Sequence, residues 1–279
     1  MAVYNHPAGG RAVSVSITVP GAAEQVWDAI ATGPGISSWF VPTEFESGPD
    51  GAPVRVVSHF SPDGSMDAVA AVVTWDPPRC FRAASADLGP DAPEVITEWR
   101  VTPVSGSTAR VEVTHIIATD SHDWDAQLEQ WEGGWPWFFQ ILRLYLGEFP
   151  SQPCVAFRAM GAAAPPADDA WEAFAKTLGI AGAEPGARRA APPEHPPVRG
   201  RVAHVAPGEG DFGVVLRLDD PCAGILSAFA LPMGDHVYLV LDFFFYGTQA
   251  AAAAERWAPR WKGWMRSGYP MPPDTTPEP

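Results

Sequence analysis

The chain has 279 residues, 46% of them hydrophobic, with 12 Trp and 14 Phe, which is enough for two modest domains with real cores. A formal net charge of −15 repels nucleic acid and anionic membrane surfaces, so neither is expected as a partner. Cys80, Cys154 and Cys222 are odd in number and far apart, which argues against a disulfide framework; no basic-then-apolar leader opens the sequence, and a cytoplasmic location is expected.

In chain order, residues 1–11 read as a loose lead-in. Val13–Val19 alternates Val13, Val15, Ile17 and Val19 with small or polar residues, the pattern of a half-buried strand, and Pro20-Gly21 ends it. Ala22–Ala31 predicts a helix with Val26, Trp27 and Ile30 on one side, stopped by Gly33-Pro34-Gly35. Ile36–Phe40 adds a short helical turn. Five strands in hairpin order follow at Val54–Phe60, Met66–Trp75, Arg79–Ala86, Glu94–Thr102 and Ala109–Thr119, with turns at residues 61–64, 76–78 and 105–107. Asp120–Asp125 is a polar lead into a long helix over Gly133–Phe149. There Trp135, Phe138, Phe139, Leu142, Leu146 and Phe149 recur at steps of three and four, one broad aromatic face. Gly133-Gly134 and Pro136 mark its start or a kink. The run is too short and too mixed to span a bilayer, so no membrane insertion is expected.

The second half repeats part of the first. Val26–Ile36 (VWDAIATGPGI) aligns without a gap on Ala170–Ile180 (AWEAFAKTLGI), with Trp27/Trp171, Ala29/Ala173, Ala31/Ala175, Gly35/Gly179 and Ile36/Ile180 identical. Trp131, Trp135 and Phe138 share their spacing with Trp257, Trp261 and Trp264. A duplicated domain is the reading. The copy looks degenerate: Ala181–Val198 is a Pro/Gly/Ala loop where a strand of the first copy should lie. Strands are expected to resume at Arg199–Ala206, Gly213–Leu218, Gly224–Leu231 and His236–Tyr246. The expected division is a domain at 12–149, a second at 153–268, and a disordered tail at 269–279.

A strand, Pro-Gly, a helix carrying Val26-Trp27-Asp28-Ala29-Ile30, and Gly35-Ile36 before Trp39-Phe40 resemble the opening of START-like helix-grip domains. Trp131–Leu146 resembles their closing Gly-Trp helix, and Val72–Arg79 their Pro-Pro turn. Within that SRPBCC superfamily, the branch named for activators of the heat-shock chaperone ATPase (AHSA-type) is the most similar. The resemblance covers Val13–Phe149 well and Cys154–Gly268 weakly, and its motifs mark the fold rather than a reaction. It implies an α+β fold, two tandem copies of a curved antiparallel sheet wrapped on a long C-terminal helix. It also implies a cavity between sheet and helix that takes lipids, polyketides or other apolar molecules, with cyclisation or dehydration in some members.

Alternation assigns the strand faces. Val95, Thr97, Trp99 and Val101 look inward, as do Val111, Val113, His115 and Ile117. His115 is therefore a candidate general acid or base, a ligand hydrogen-bond partner, or a satisfied core histidine. Trp75, Trp99, His115, Trp131, Trp135 and Phe138 are the candidate ligand-binding set, the alternative being plain core. Asp242, inside an apolar run, reads as solvated on an edge strand or as a perturbed acid. Asp120, His122, Asp123 and Asp125 read as a polar loop rather than a cation site. No nucleotide loop, hydrolase elbow or Cys/His metal pattern occurs, so no cofactor and no metal are expected. Three functions stay open: binding of an apolar small molecule, a polyketide cyclase or dehydratase working through His115, and a co-chaperone-like module whose chaperone partner no motif supports.

Overall fold

The computed structural model describes residues 3–60, 64, 67–86, 88–89, 92–208 and 210–272. Residues 61–63 of the expected turn, the strand start at Met66 and positions 273–279 of the expected tail lie outside the described residues. The chain divides into two compact units, Met1–Ser151 and Gln152–Pro279.

Unit 1 is an eight-stranded antiparallel sheet against helices. Its elements are β1 (Tyr4–Asn5), β2 (Arg11–Pro20), α1 (Ala23–Ala31), α2 (Gly33–Ser37), β3 (Thr43–Ser47), β4 (Pro53–His59), β5 (Asp67–Asp76), β6 (Cys80–Ser85), β7 (Val95–Ser105), β8 (Thr108–Ile117) and α3 (Asp125–Glu148). The sheet order is β1-β2-β8-β7-β6-β5-β4-β3, so β3 to β8 form a meander and β2 returns beside its last strand. β3 escapes the sequence pattern because it is a five-residue edge strand whose single large apolar residue, Phe45, sits between Glu44 and Glu46; charge of this kind protects an edge from further pairing.

The turn between α1 and α2 depends on a small residue. Thr32 Oγ1 donates to the Asp28 carbonyl at 2.7 Å and accepts the Gly35 N–H at 3.0 Å. A Cβ on Gly35 would run into that same Asp28 carbonyl and the Thr32 hydroxyl. Gly35→Ala should therefore cost about 1–3 kcal/mol by overpacking, read as a lower melting temperature.

α3 begins eight residues before the expected start at Gly133. Its apolar step runs further back than the reading from Trp135 allowed: Leu128, Trp131, Trp135, Phe138, Leu142, Leu146 and Phe149 continue one face, and Leu128 is fully buried against Val13 and Ile117. Gly133, Gly134 and Pro136 lie inside the helix but on its exposed side, where a weak helix former leaves no hole in the packing. The first turn is held by Arg11, whose Nε and Nη2 donate to the Asp125 carboxylate at 2.9 and 2.6 Å. His122 Nδ1 lies 2.9 Å from the same carboxylate. The Arg11 hydrogen bonds pull Asp125 down to a pKa of about 2. Asp125, the first residue of α3, thus fastens the helix to β2.

Unit 2 repeats the plan with β9 (Cys154–Ala163), α4 (Ala167–Thr177), β10 (Arg188–Ala190), β11 (Arg199–Val205), β12 (Phe212–Asp220), β13 (Gly224–Met233), β14 (His236–Tyr246) and α5 (Ala250–Gly268), in sheet order β10-β11-β12-β13-β14-β9. Its first strand pairs with its last, as β2 pairs with β8. Ala23 and Ala167, the first residues of α1 and α4, fall at aligned positions of the repeat. The segment Ala181–Val198 is not wholly loop: β10 pairs with residues 199–201 of β11. Three residues reading Arg-Arg-Ala carry no alternation, so the sequence gives no sign of them. Asp242 is not solvated on an edge. β14 lies between β13 and β9, and Asp242 is buried and takes both arms of Arg158, directly across on β9, at 2.6 and 2.9 Å. Tyr269, assigned to the tail by sequence, packs on Phe174 and Trp264.

Candidate functional site

The inner face of unit 1 carries a continuous path of aromatic rings. Register places Trp75, Phe81, Trp99 and Val113 in one row across β5, β6, β7 and β8. Trp75 meets Phe81 at 5.7 Å between centroids, Phe81 stacks on Trp99 at 6.4 Å, and Trp99 meets Trp135 of α3 edge-on at 5.1 Å. Trp39 and Phe139 close around Trp99 at 6.3 Å each. Separations of this size are ordinary packing contacts between rings. The space between sheet and helix is therefore filled at its centre.

The path ends at a mouth where rings are half-exposed. Trp135 and Phe138 of α3 face Phe40, with Phe40–Phe138 at 4.8 Å and Phe40–Trp135 at 5.4 Å, and Phe60 stands beside Phe40 at 5.8 Å. His115 sits under this group. Its ring is 5.0 Å from Trp131 and stacks on Trp135 at 5.8 Å.

The hydrogen bonds of His115 fix its chemistry. Trp135 Nε1 lies 2.7 Å from His115 Nε2, and an indole N–H only donates, so Nε2 is the acceptor. The proton then sits on Nδ1, which donates to Thr97 Oγ1 at 3.0 Å. Thr97 is the direct cross-strand partner of His115 in the β7–β8 ladder. Burial in this aromatic setting pushes the His115 pKa down to about 4. The side chain is thus a neutral imidazole of defined tautomer at physiological pH. It holds no proton to give at Nε2, and its one lone pair is engaged by Trp135.

Of the six candidate residues, Trp99, His115 and Phe138 pack on the Trp135 indole, and Trp131 packs on His115. Trp75 stands two rings away, packed on Trp27 at 5.1 Å and Phe45 at 6.0 Å. The sequence reading left out Phe40, Phe60 and Thr97. Thr97 was legible as an inward residue of β7. Phe40 follows Ser37-Ser38-Trp39 and Phe60 follows Ser58-His59 at the end of β4, places without an alternation to set the direction of a side chain.

Unit 2 has lost the polar pair. Phe243 of β14 faces Phe157 of β9, stacked at 4.7 Å, and meets Trp261 of α5 at 5.3 Å. Trp261 holds the repeat position of Trp135, yet its buried Nε1 has no hydrogen-bond partner among the described residues. Phe174, Phe243 and Trp261 are all fully buried, so this interior is solid core. Cys80, Cys154 and Cys222 are free thiols. No described helix is long and apolar enough to cross a membrane.

No curated protein matches the chain. Similar solved structures include the di-domain ARO/CYC BexL from the BE-7585A biosynthetic pathway, 13% identical over 94% of this chain and 100% of that one, with a TM-score of 0.44. Another is DynU16 of the dynemicin biosynthetic locus, 19% identical over 90% and 95% of the two chains at a TM-score of 0.40. CalU16 from Micromonospora echinospora is 17% identical over 53% of this chain and 83% of its own, also at 0.40. Residues 11–137, from the first residue of β2 into α3, match the family model described as polyketide cyclase / dehydrase and lipid transport.

Proposed function

We propose that unit 1 binds an apolar small molecule of polyketide, aromatic or lipid type at the mouth formed by Trp131, Trp135, Phe138, Phe40 and His115. One observation carries this reading: the Trp135 indole is pinned across the mouth by His115 while its neighbours keep partly exposed ring faces. A ligand stacks on those faces and gains about 0.5–1.5 kcal/mol per ring contact beyond the area it buries. Trp99 and, further back, Trp75 form the rear wall. Free thiols accord with a cytoplasmic setting.

A cyclase or dehydratase at the same place is the second reading, favoured by the family description. In that case a bound substrate has to draw Trp135 away, freeing the Nε2 lone pair of His115 to act as a base. A co-chaperone role of the AHSA type draws on no feature of either unit.

Thermal melting against a panel of flat aromatic and acyl-chain ligands tests the proposal. At least one class should raise the melting temperature of the wild type, and Trp135→Leu should lose that rise. Stabilisation that survives in Trp135→Leu, or none at all, would remove the mouth from the account. His115→Gln separates the two readings: it should leave binding within a fewfold but abolish any turnover.

A further inference from the structure

The geometry points to a second ligand site in unit 2, one that takes a flat aromatic molecule bearing a single carboxylate. The interior of this unit is closed, but a cavity of about 550 Å³ opens beside it, under the proline-rich segment 190–199 and against α5. That volume lies within the range of small-molecule pockets. Pro192, Pro193, Pro196 and Pro197 supply stiff apolar walls that lose little entropy on binding, and Trp257 supplies an indole. Trp257 holds the repeat position of Trp131, so the cavity opens over the same turn of the C-terminal helix as the mouth of unit 1.

Its polar groups favour an anion. The guanidinium of Arg260 lies 4.7 Å from the centre of the Trp257 ring, and that of Arg256 lies 4.8 Å from it. Arg260 and Arg199 both border the cavity, and neither has a carboxylate within ion-pair distance among the described residues. His195 adds a donor. Trp264 Nε1 donates to its Nδ1 at 3.0 Å, so the proton of the neutral ring is on Nε2. Glu194 and Asp220 also border the cavity and oppose a second negative charge. Two unpaired guanidinia, an imidazole N–H and a stacking surface together suit a monoanionic aromatic acid.

Isothermal titration with anthraquinone-2-carboxylate and its carboxamide tests this, using the full chain carrying Trp135→Leu so that unit 1 contributes least. The carboxylate should bind, and adding Arg260→Gln should weaken it about tenfold while Arg260→Lys recovers part of the loss. The carboxamide should bind about tenfold more weakly than the carboxylate and should not respond to Arg260→Gln. Arg260 is exposed, so these variants should melt with their parent; if Arg260→Gln does not, Arg199→Gln takes its place. Absence of carboxylate binding, or equal losses for acid and amide, would overturn the assignment.

Discussion

Trp99→Ala should cost unit 1 about 3–5 kcal/mol, the usual range for removing a buried Trp. Trp99 keeps 6% of its surface exposed and touches Trp39 of the loop after α2, Phe81 of β6, and Trp135 and Phe139 of α3. Those neighbours are themselves large and mutually packed, so they cannot collapse into the space left behind. Urea unfolding followed by circular dichroism reads the loss as a lower midpoint. Trp131→Ala is the control. Trp131 is half-buried at the mouth, so its loss should be far smaller. Equal losses would contradict the division of unit 1 into a filled centre and an open mouth.

The second large effect is on pH dependence. His115 titrates near 6.5 in the unfolded chain and at about 4 in the folded unit. Between these values the unfolded chain takes up a proton that the folded unit refuses, so acidification favours unfolding. The contribution from this site is complete above pH 6.5 and falls as the pH drops toward 4, a total of roughly 3 kcal/mol at 1.36 kcal/mol per pH unit. His115→Gln keeps an acceptor for the Trp135 indole and removes the titration. Its unfolding free energy should therefore change less between pH 7 and 4 than that of the wild type, by about that amount. Parallel pH profiles for the two proteins would mean that His115 ionises freely and that its burial does not hold it neutral.

Much of unit 1 was legible because strand periodicity is local. The alternation in β7 and β8 assigned Trp99 and His115 to the inner face, and register then set Thr97 opposite His115. Pairing across layers was not legible. Nothing in the spacing of Trp135 and His115 says that one donates to the other, because the bond joins a helix to a sheet. The start of α3 was missed for a different reason: Gly133, Gly134 and Pro136 are poor helix formers, but on the solvent face propensity yields to the packing of Leu128 and Trp131. Asp242 misled because an apolar run with one charge resembles an edge strand until its partner, Arg158 on β9, is known. The duplication was visible through Trp27/Trp171 and the two helical aromatic triplets. The replacement of the histidine by Phe243 needed the β9–β14 register to see.

The most direct measurement is an NMR titration of 15N-tryptophan-labelled protein with a ligand that passes the melting screen, the Trp135 indole signal being assigned through Trp135→Leu. The account predicts that the Trp135 Nε1–H resonance, held by His115, moves most, and that of Trp261 in the solid core of unit 2 stays still. A bound ligand that leaves the Trp135 resonance in place would contradict it.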